Sequence, residues 1–448
     1  MPSLFYLSFY HRADVAKASR LHHDVVARVW PQLAYQSPKY PKQAPTTKTC
    51  RRGKIKLGII SGFITESSPP TWTFNGVLRR LDRDLFEITF IYLDSVGEKV
   101  ASFVYSNPKD GVLVLSKGPQ DIQNGAWITR FHKDVEDLDL DILFYLDVHM
   151  NPFTTRMAMS RLAPVQCLSH GHPMTTGMPS MDYFISWGAS ELATAQEHYT
   201  EKLVLLNASA AHQYYEIRHD PERLTSKLDG LPFGHLLNRG AFPTIPADGN
   251  WYTCMQKPHK FMSDMDSMVC GVLQRDPKGR LVLHELKEKH VEPFRKRLID
   301  AGCDMNRVHF LPAQPHHRLL ALYSVSDVIL DSHPAGGDTT TREALEMNKL
   351  VVTYPGRLLG GRWSYGYIKH LGDQRLAEHL IASSVEEYCD KAVTLGTDPK
   401  IRQEMEDRLK QTLLPRLYEQ DEAVRSWETV LKQISPVEIR DDCTESSY

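Results

Sequence analysis

The sequence has no apolar run long enough to cross a bilayer, which takes about 20 consecutive apolar residues, so no membrane partner is expected. It has no excess of charge of either sign: 53 Lys and Arg stand against 55 Asp and Glu, a formal net charge of -2. Such a balance gives no electrostatic reason to expect nucleic acid or an anionic membrane surface as a partner. Cysteine is sparse, at Cys50, Cys167, Cys254, Cys270, Cys303, Cys389 and Cys443. The number is odd, no CxxC pair occurs and the spacing suggests no disulfide frame, so a reducing compartment, cytoplasmic or nuclear, is expected. The apolar start, Met1 to Tyr10, has no preceding basic segment and no small-residue cleavage site, and is not read as a signal peptide. Asn207-Ala208-Ser209 fits a glycosylation sequon that a cytosolic chain would not use. No internal repeat emerges, and with it no helical array that would recruit protein partners.

What is present is a chain of 448 residues with 42% hydrophobic content, enough for two or three packed domains. Apolar runs at 54–61, 86–92, 111–115, 140–146, 165–168 and 182–186 read as strands separated by helical patterns. The pattern breaks over about 222–251, where several Gly and Pro fall, and restarts with strands at 280–283, 307–310, 327–331 and 350–354. Alternation of this kind predicts parallel strands with crossover helices. The expected division is an N-terminal helical extension and linker over 1–48, Rossmann-like domains over 49–235 and 236–420, and a C-terminal helix with a frayed tail over 421–448. In the N-terminal helix, Val15, Ala18, Leu21, Val25, Val26 and Val29 form the expected buried side.

The most informative stretch is Gly336-Gly337-Asp338-Thr339-Thr340-Thr341-Arg342-Glu343. It follows an apolar strand and opens a helix. Free backbone N–H groups and the positive end of the helix dipole then meet at one point, which attracts a phosphate. The same residues also suit a plain loop in which Asp338 or a Thr caps the helix.

Four segments in order carry a resemblance to the catalytic region of the O-GlcNAc transferase family, over about residues 50–420. They are Ala163 to Gly177 continuing to Tyr183; Cys254-Met255-Gln256-Lys257-Pro258-His259-Lys260-Phe261; the Gly336 stretch; and Val352 to Arg357 with Gly361-Arg362. They look closest to its bacterial and algal branches. The resemblance implies an α/β protein of the GT-B type, two Rossmann-like doubly wound parallel-sheet domains facing a cleft. It implies an inverting, metal-independent glycosyltransferase that needs no cofactor. Its donor would be UDP-GlcNAc or a related UDP-sugar, and its acceptors Ser and Thr hydroxyls of proteins. By the same resemblance Lys260 would stabilise the leaving diphosphate and Gln256 would help bind the nucleotide. Glu343 would lie near the ribose. Gly171, His172, Pro173 and Thr175 would form a loop facing the sugar. Gly337, Asp338, Thr339 and Thr340 are the substrate-binding candidates of the turn, Thr339 and Thr340 offering hydroxyl donors at the helix start; two hydroxyls and a lysine are sensible partners for a diphosphate without a metal. His170 is read as structural, and His172 taken alone also suits a structural histidine.

The resemblance fails at two places. Many relatives have a histidine in the loop after the first strand; here Ser68, or Ser67 with a different gap, stands there, and neither is a base near neutral pH. Glu66 is the adjacent candidate for that role. Asp338 replaces a His or Asn, and a carboxylate beside a diphosphate is unfavourable unless it faces away as a cap. These departures leave open a catalytically silent nucleotide-sugar-binding paralogue, and some bacterial relatives suggest glucose transfer to Asn.

Overall fold

A computed structural model describes residues 4–9, 14–65, 68–93, 100–116, 127–216, 236–285 and 288–443. After the short strand β1 (Thr49–Arg51), the N-terminal lobe is built on β2 (Ile55–Ser61), β3 (Phe86–Leu93), β4 (Gly111–Leu115), β5 (Ile142–Tyr145), β6 (Val165–Ser169), β7 (Tyr183–Trp187) and β8 (Lys202–Leu206). They form one sheet in the order β4-β3-β2-β5-β6-β7-β8, every neighbour parallel. The two strands at its middle, β5 and β6, are buried at every position. That is why they read as unbroken apolar runs rather than alternating ones: helices cover both faces. The C-terminal lobe uses β9 (Asn250–Cys254), β10 (Gly279–His284), β11 (Val308–Leu311), β12 (Val328–Leu330) and β13 (Val351–Val352), all parallel in the order β11-β10-β9-β12-β13. Two doubly wound sheets facing each other make this a GT-B fold.

The helix Pro69–Arg80 starts at Ser68, whose Oγ accepts from the Thr71 amide at 3.3 Å, with prolines in the first two helical positions. The hydroxyl also donates to the Phe63 carbonyl. Ser68 is therefore a helix cap with its proton already committed. Glu66, the sequence candidate for a base, and Ser67 lie outside the described residues.

The last helix, Asp421–Ile434, leaves the C-terminal lobe and packs on the N-terminal one. Trp427, 1% exposed, donates from its indole N–H to the His212 carbonyl at 2.7 Å and packs its ring on Phe74 and Phe144. The chain then adds β14 (Val437–Ile439), which pairs in parallel with β1. The described part of this segment, 421–443, is thus continuous with the first lobe in space.

Three expectations are corrected. The central strand of the second sheet, β9, begins at Asn250, inside the stretch read as a break. The N-terminal helix, Val15–Val29, buries Val15, Ala16, Ser19, His23 and Val26. Leu21, Val25 and Val29 are 57%, 61% and 57% exposed. Its rotation is fixed by a polar contact, Ser19 Oγ donating to the Thr175 carbonyl at 3.2 Å, which apolar spacing does not register. Finally, Cys50 is bonded to Cys443 and Cys270 to Cys303. Partners 393 and 33 residues apart meet only in the folded chain, so spacing was no ground for expecting reduced thiols.

Trp427→Ala removes a buried ring and an indole donor at the seam between the last helix and the first lobe. It is expected to lower unfolding free energy by about 3–5 kcal/mol, read as a fall in denaturant midpoint at unchanged slope.

Candidate active site at the cleft between the lobes

Strand β12 ends at Leu330, Asp331 follows it, and the helix Thr339–Glu346 begins eight residues after Asp331; the turn between them is set by the Asp331 side chain. One carboxylate oxygen accepts from the Gly337 amide at 2.8 Å and the other from the Thr353 hydroxyl at 2.8 Å. A Cβ on Gly336 would sit 2.8 Å from Asp331 Oδ2, and one on Gly337 would overlap the Gln256 amide nitrogen. The two glycines are required by close approach of side chains rather than by an unusual backbone angle. Burial pushes the Asp331 carboxyl up, while its hydrogen bonds and Lys260 pull the other way.

The second component follows β9. Lys260 closes a single 3-10 turn, Pro258–Lys260, and its Nζ donates to Gln256 Oε1 at 2.9 Å and to the Gly336 carbonyl at 2.6 Å. Gln256 Nε2 donates to Thr340 Oγ1 at 2.6 Å. An ammonium can only donate, so Lys260 fixes which end of the Gln256 amide is oxygen. The Thr340 hydroxyl, receiving at its oxygen, is left to donate its own proton. Gln256, Lys260, Asp338, Thr339 and Thr340 line one cavity of about 330 Å³, with Leu319 on its apolar side. Burial lowers the Lys260 pKa, and Asp331 and Asp338 oppose that shift.

Asp338 occupies the position before the helix, yet its side chain caps nothing. Tyr367 donates to its Oδ1, and Arg342 Nε lies 3.8 Å from the same atom. The carboxylate is drawn toward this tyrosine–arginine pair, which answers the repulsion expected of a carboxylate in a phosphate turn by a route other than capping.

A second cavity, of about 190 Å³, lies where the lobes meet. His170, Gly171, His172 and Pro173 bring the first lobe to it, and Lys260, Asp338, Thr339 and Trp363 the second. Gly171 is packed so tightly that a Cβ would overlap the Leu146 carbonyl oxygen, so its smallness serves the junction of β5 and β6. The lobes touch around this cavity through aromatic rings: His212 stacks on Trp363 at 4.9 Å and Trp187 packs on Tyr367 at 5.9 Å.

Three of the residues assigned from sequence are not among those that line these cavities. Gly337 is one, its amide turned to Asp331. Thr175 is buried, its hydroxyl donating to Glu201 Oε2 at 2.6 Å and lying 2.8 Å from the Thr200 hydroxyl; it holds the loop from behind. Glu343 binds His316 Nε2 at 2.8 Å and lines a separate recess of about 20 Å³ with Trp72, Tyr215 and Arg342. Asp331 and Trp363 were not picked out from sequence. Asp331 had one usable signal, an acidic residue closing an apolar run at the carboxyl end of a strand, where open α/β sheets bind ligands; Trp363 had none.

The profile of glycosyl transferase family 41 matches residues 234–420, which is the lobe that carries Gln256, Lys260 and the Gly336 turn. That lobe is similar to glycosyl transferase family 41. Relatives include a probable UDP-N-acetylglucosamine--peptide N-acetylglucosaminyltransferase SPINDLY of Solanum lycopersicum, 28% identical over 58% of this chain and 26% of its own length. The protein of the same description from Arabidopsis thaliana is 27% identical over 66% of this chain and 31% of its own. The chain thus spans about a quarter to a third of the length of these curated relatives. Among solved structures, an O-GlcNAc transferase mutant of Thermobaculum terrenum superposes with TM-score 0.72 at 22% identity, covering 96% of this chain and 76% of its own. A sucrose-phosphate synthase of Thermosynechococcus elongatus gives 0.54 at 10% identity, covering 85% and 99%. Both likenesses are of fold.

Burial holds His149 and His170 at about 4, and His172 and His212 well below their ordinary value. An unfolded histidine takes up a proton near pH 6.5. Below that pH the unfolded chain binds protons that the folded one refuses, so stability falls as pH drops from about 6.5 to 4. Asp147, pushed up to about 6 by burial, acts in the opposite sense but only below that value. The melting temperature is therefore expected to fall between pH 7 and pH 5, with the decline already under way at pH 6.

Proposed function

We propose that this protein is an inverting glycosyltransferase that moves a sugar, GlcNAc in the first instance, from UDP to Ser or Thr hydroxyls of acceptor proteins. The observation that carries this reading is the meeting of Lys260, Gln256, Thr339 and Thr340 on one cavity at the start of a helix, open to a space that the Gly171–Pro173 loop bounds from the other lobe. The diphosphate would take the place of the internal acceptors: Lys260 gives up Gln256 and the Gly336 carbonyl for phosphate oxygens, and Thr340 donates its free proton. The N-terminus of the helix adds its unpaired amides. The acceptor hydroxyl attacks the anomeric carbon from the face opposite UDP. A carbon–oxygen bond to the hydroxyl forms, the bond to the phosphate breaks, UDP leaves and the hydroxyl proton is released. Lys260 and the helix field bear on the charge that develops on UDP, so no metal or other cofactor is assigned to the reaction.

A second reading, a nucleotide-sugar-binding protein without turnover, is favoured by one observation. Ser68 stands where many relatives have a histidine and is spent as a helix cap.

A thermal-shift series against UDP-sugars tests the first requirement. At 100 times the dissociation constant, a ligand specific to the folded state raises stability by about 2.7 kcal/mol, so UDP-GlcNAc should raise the melting temperature clearly. No stabilisation by any UDP-sugar overturns the proposal. Lys260→Ala should lower transfer to a peptide acceptor by about 10²–10³, measured by mass spectrometry of the product, which also identifies the modified residue and sugar. Transfer at full rate in that variant removes Lys260 from the mechanism, and binding without transfer in the wild type supports the second reading.

A further inference from the structure

His170 has a fixed tautomer and an unused nitrogen. The Ser169 hydroxyl donates its one proton to the Ile185 carbonyl at 2.7 Å. Its oxygen also lies 2.9 Å from His170 Nδ1, and in that contact it can only accept. The ring proton is thus on Nδ1, and Nε2 carries a lone pair. Nε2 is buried and has no hydrogen-bond partner among the described residues. The ring cannot turn to find one, being packed by Phe74 at 5.0 Å and by Trp363 at 4.8 Å, one from each lobe. Buried acceptors are ordinarily satisfied, and a persistent exception asks for an explanation. His170 is among the residues that line the cavity, as are Lys260, Asp338 and Thr339. A sugar attached to a diphosphate held at Lys260 and Thr339 would extend into that space, and sugars are rich in hydroxyl donors.

We infer that His170 is a sugar-binding residue, its Nε2 accepting a hydrogen bond from a hydroxyl of the donor sugar. The inference rests on the UDP-sugar reading of the site and deepens it. It assigns to His170 a role beyond packing, and it places recognition of the sugar, as distinct from the nucleotide, on the first lobe. Because burial keeps the ring neutral down to about pH 4, the contact is a neutral acceptor throughout the physiological range.

Calorimetric titration with UDP and with UDP-GlcNAc separates the two parts of the ligand. His170→Phe keeps a ring between Phe74 and Trp363 but removes the acceptor. It should bind UDP as the wild type does and UDP-GlcNAc about tenfold more weakly, the loss of one buried hydrogen bond. His170→Gln, which restores an acceptor oxygen, should regain part of that loss. In the wild type the ¹⁵N resonance of His170 Nε2 should move on adding UDP-GlcNAc and stay in place on adding UDP. Equal weakening of both ligands in His170→Phe would mean that the ring only supports the fold and would overturn the inference. So would undiminished UDP-GlcNAc affinity together with an unmoved Nε2 resonance, and in either case the UDP-sugar reading would stand. If the wild type binds neither ligand, that reading falls and this inference falls with it.

Discussion

The buried carboxylate of Asp331 decides the shape of the Gly336 turn. It is taken out of water at the end of β12 and has to be satisfied by the chain that follows it. The Gly337 amide and the Thr353 hydroxyl do this, one from the turn and one from the segment after β13. The turn is thereby pulled against the strand end, leaving room beside it only for glycine. Because Gly337 has no side chain, Gln256 can come close enough to reach Thr340, and Lys260 can reach the Gly336 carbonyl. Removing one partner from such a network would leave a buried acceptor unpaired, at about 1–3 kcal/mol each. A local constraint on one side chain therefore sets the position of groups that come from a strand end, a loop and a helix start.

The second lobe supplies the Gly336 turn, but the wall of the cleft is built by both. Rings from each side, His170 and His212 with Trp363, and Trp187 with Tyr367, meet at the seam. The C-terminal helix crosses back to seal it, with Trp427 bonded to the His212 backbone. Histidines in such a seam stay neutral because a charged imidazole would lose its hydration, a cost that Asp338 offsets only in part at His170. Their presence makes the seam acid-sensitive while adding polar atoms, Nε2 of His170 among them, to a wall that would otherwise be hydrocarbon.

Much of the fold was legible because buried parallel strands have a strong sequence signature. Ile142 to Tyr145 and Val165 to Leu168 are apolar at nearly every position, and the structure buries each of them. Strand β9 was illegible for a physical reason: Asn250-Trp251-Tyr252-Thr253-Cys254 is short, carries polar atoms and follows a Pro- and Gly-containing stretch, and its place at the centre of a sheet is a tertiary fact. The rotation of the first helix was missed because a serine hydroxyl, rather than its valines, sets it. The turn from Gly336 to Thr340 was legible as a local pattern of glycine, hydroxyl and helix start. Thr175 and Glu343 were not, since a hydroxyl or carboxylate near a motif can be turned to an internal partner as easily as to a ligand. Glu201 and His316 are those partners, and each is distant from the motif in sequence.

On the proposed reading, internal contacts occupy the places that a diphosphate would take. Lys260 is bonded to two neutral oxygens, an amide and a carbonyl, where a phosphate would offer charged ones. Exchange of neutral for charged acceptors roughly doubles the strength of each bond, so the internal contacts are easily given up to a diphosphate and readily resumed when it leaves. Gln256 ties the two donors together: its oxygen faces Lys260 and its nitrogen faces Thr340. Drawing Lys260 toward a ligand frees that oxygen, while the Gln256 amide hydrogen continues to polarise the Thr340 hydroxyl toward the same ligand. On the proposed reading this arrangement would suit an extended diphosphate, which can reach the lysine and the helix start together.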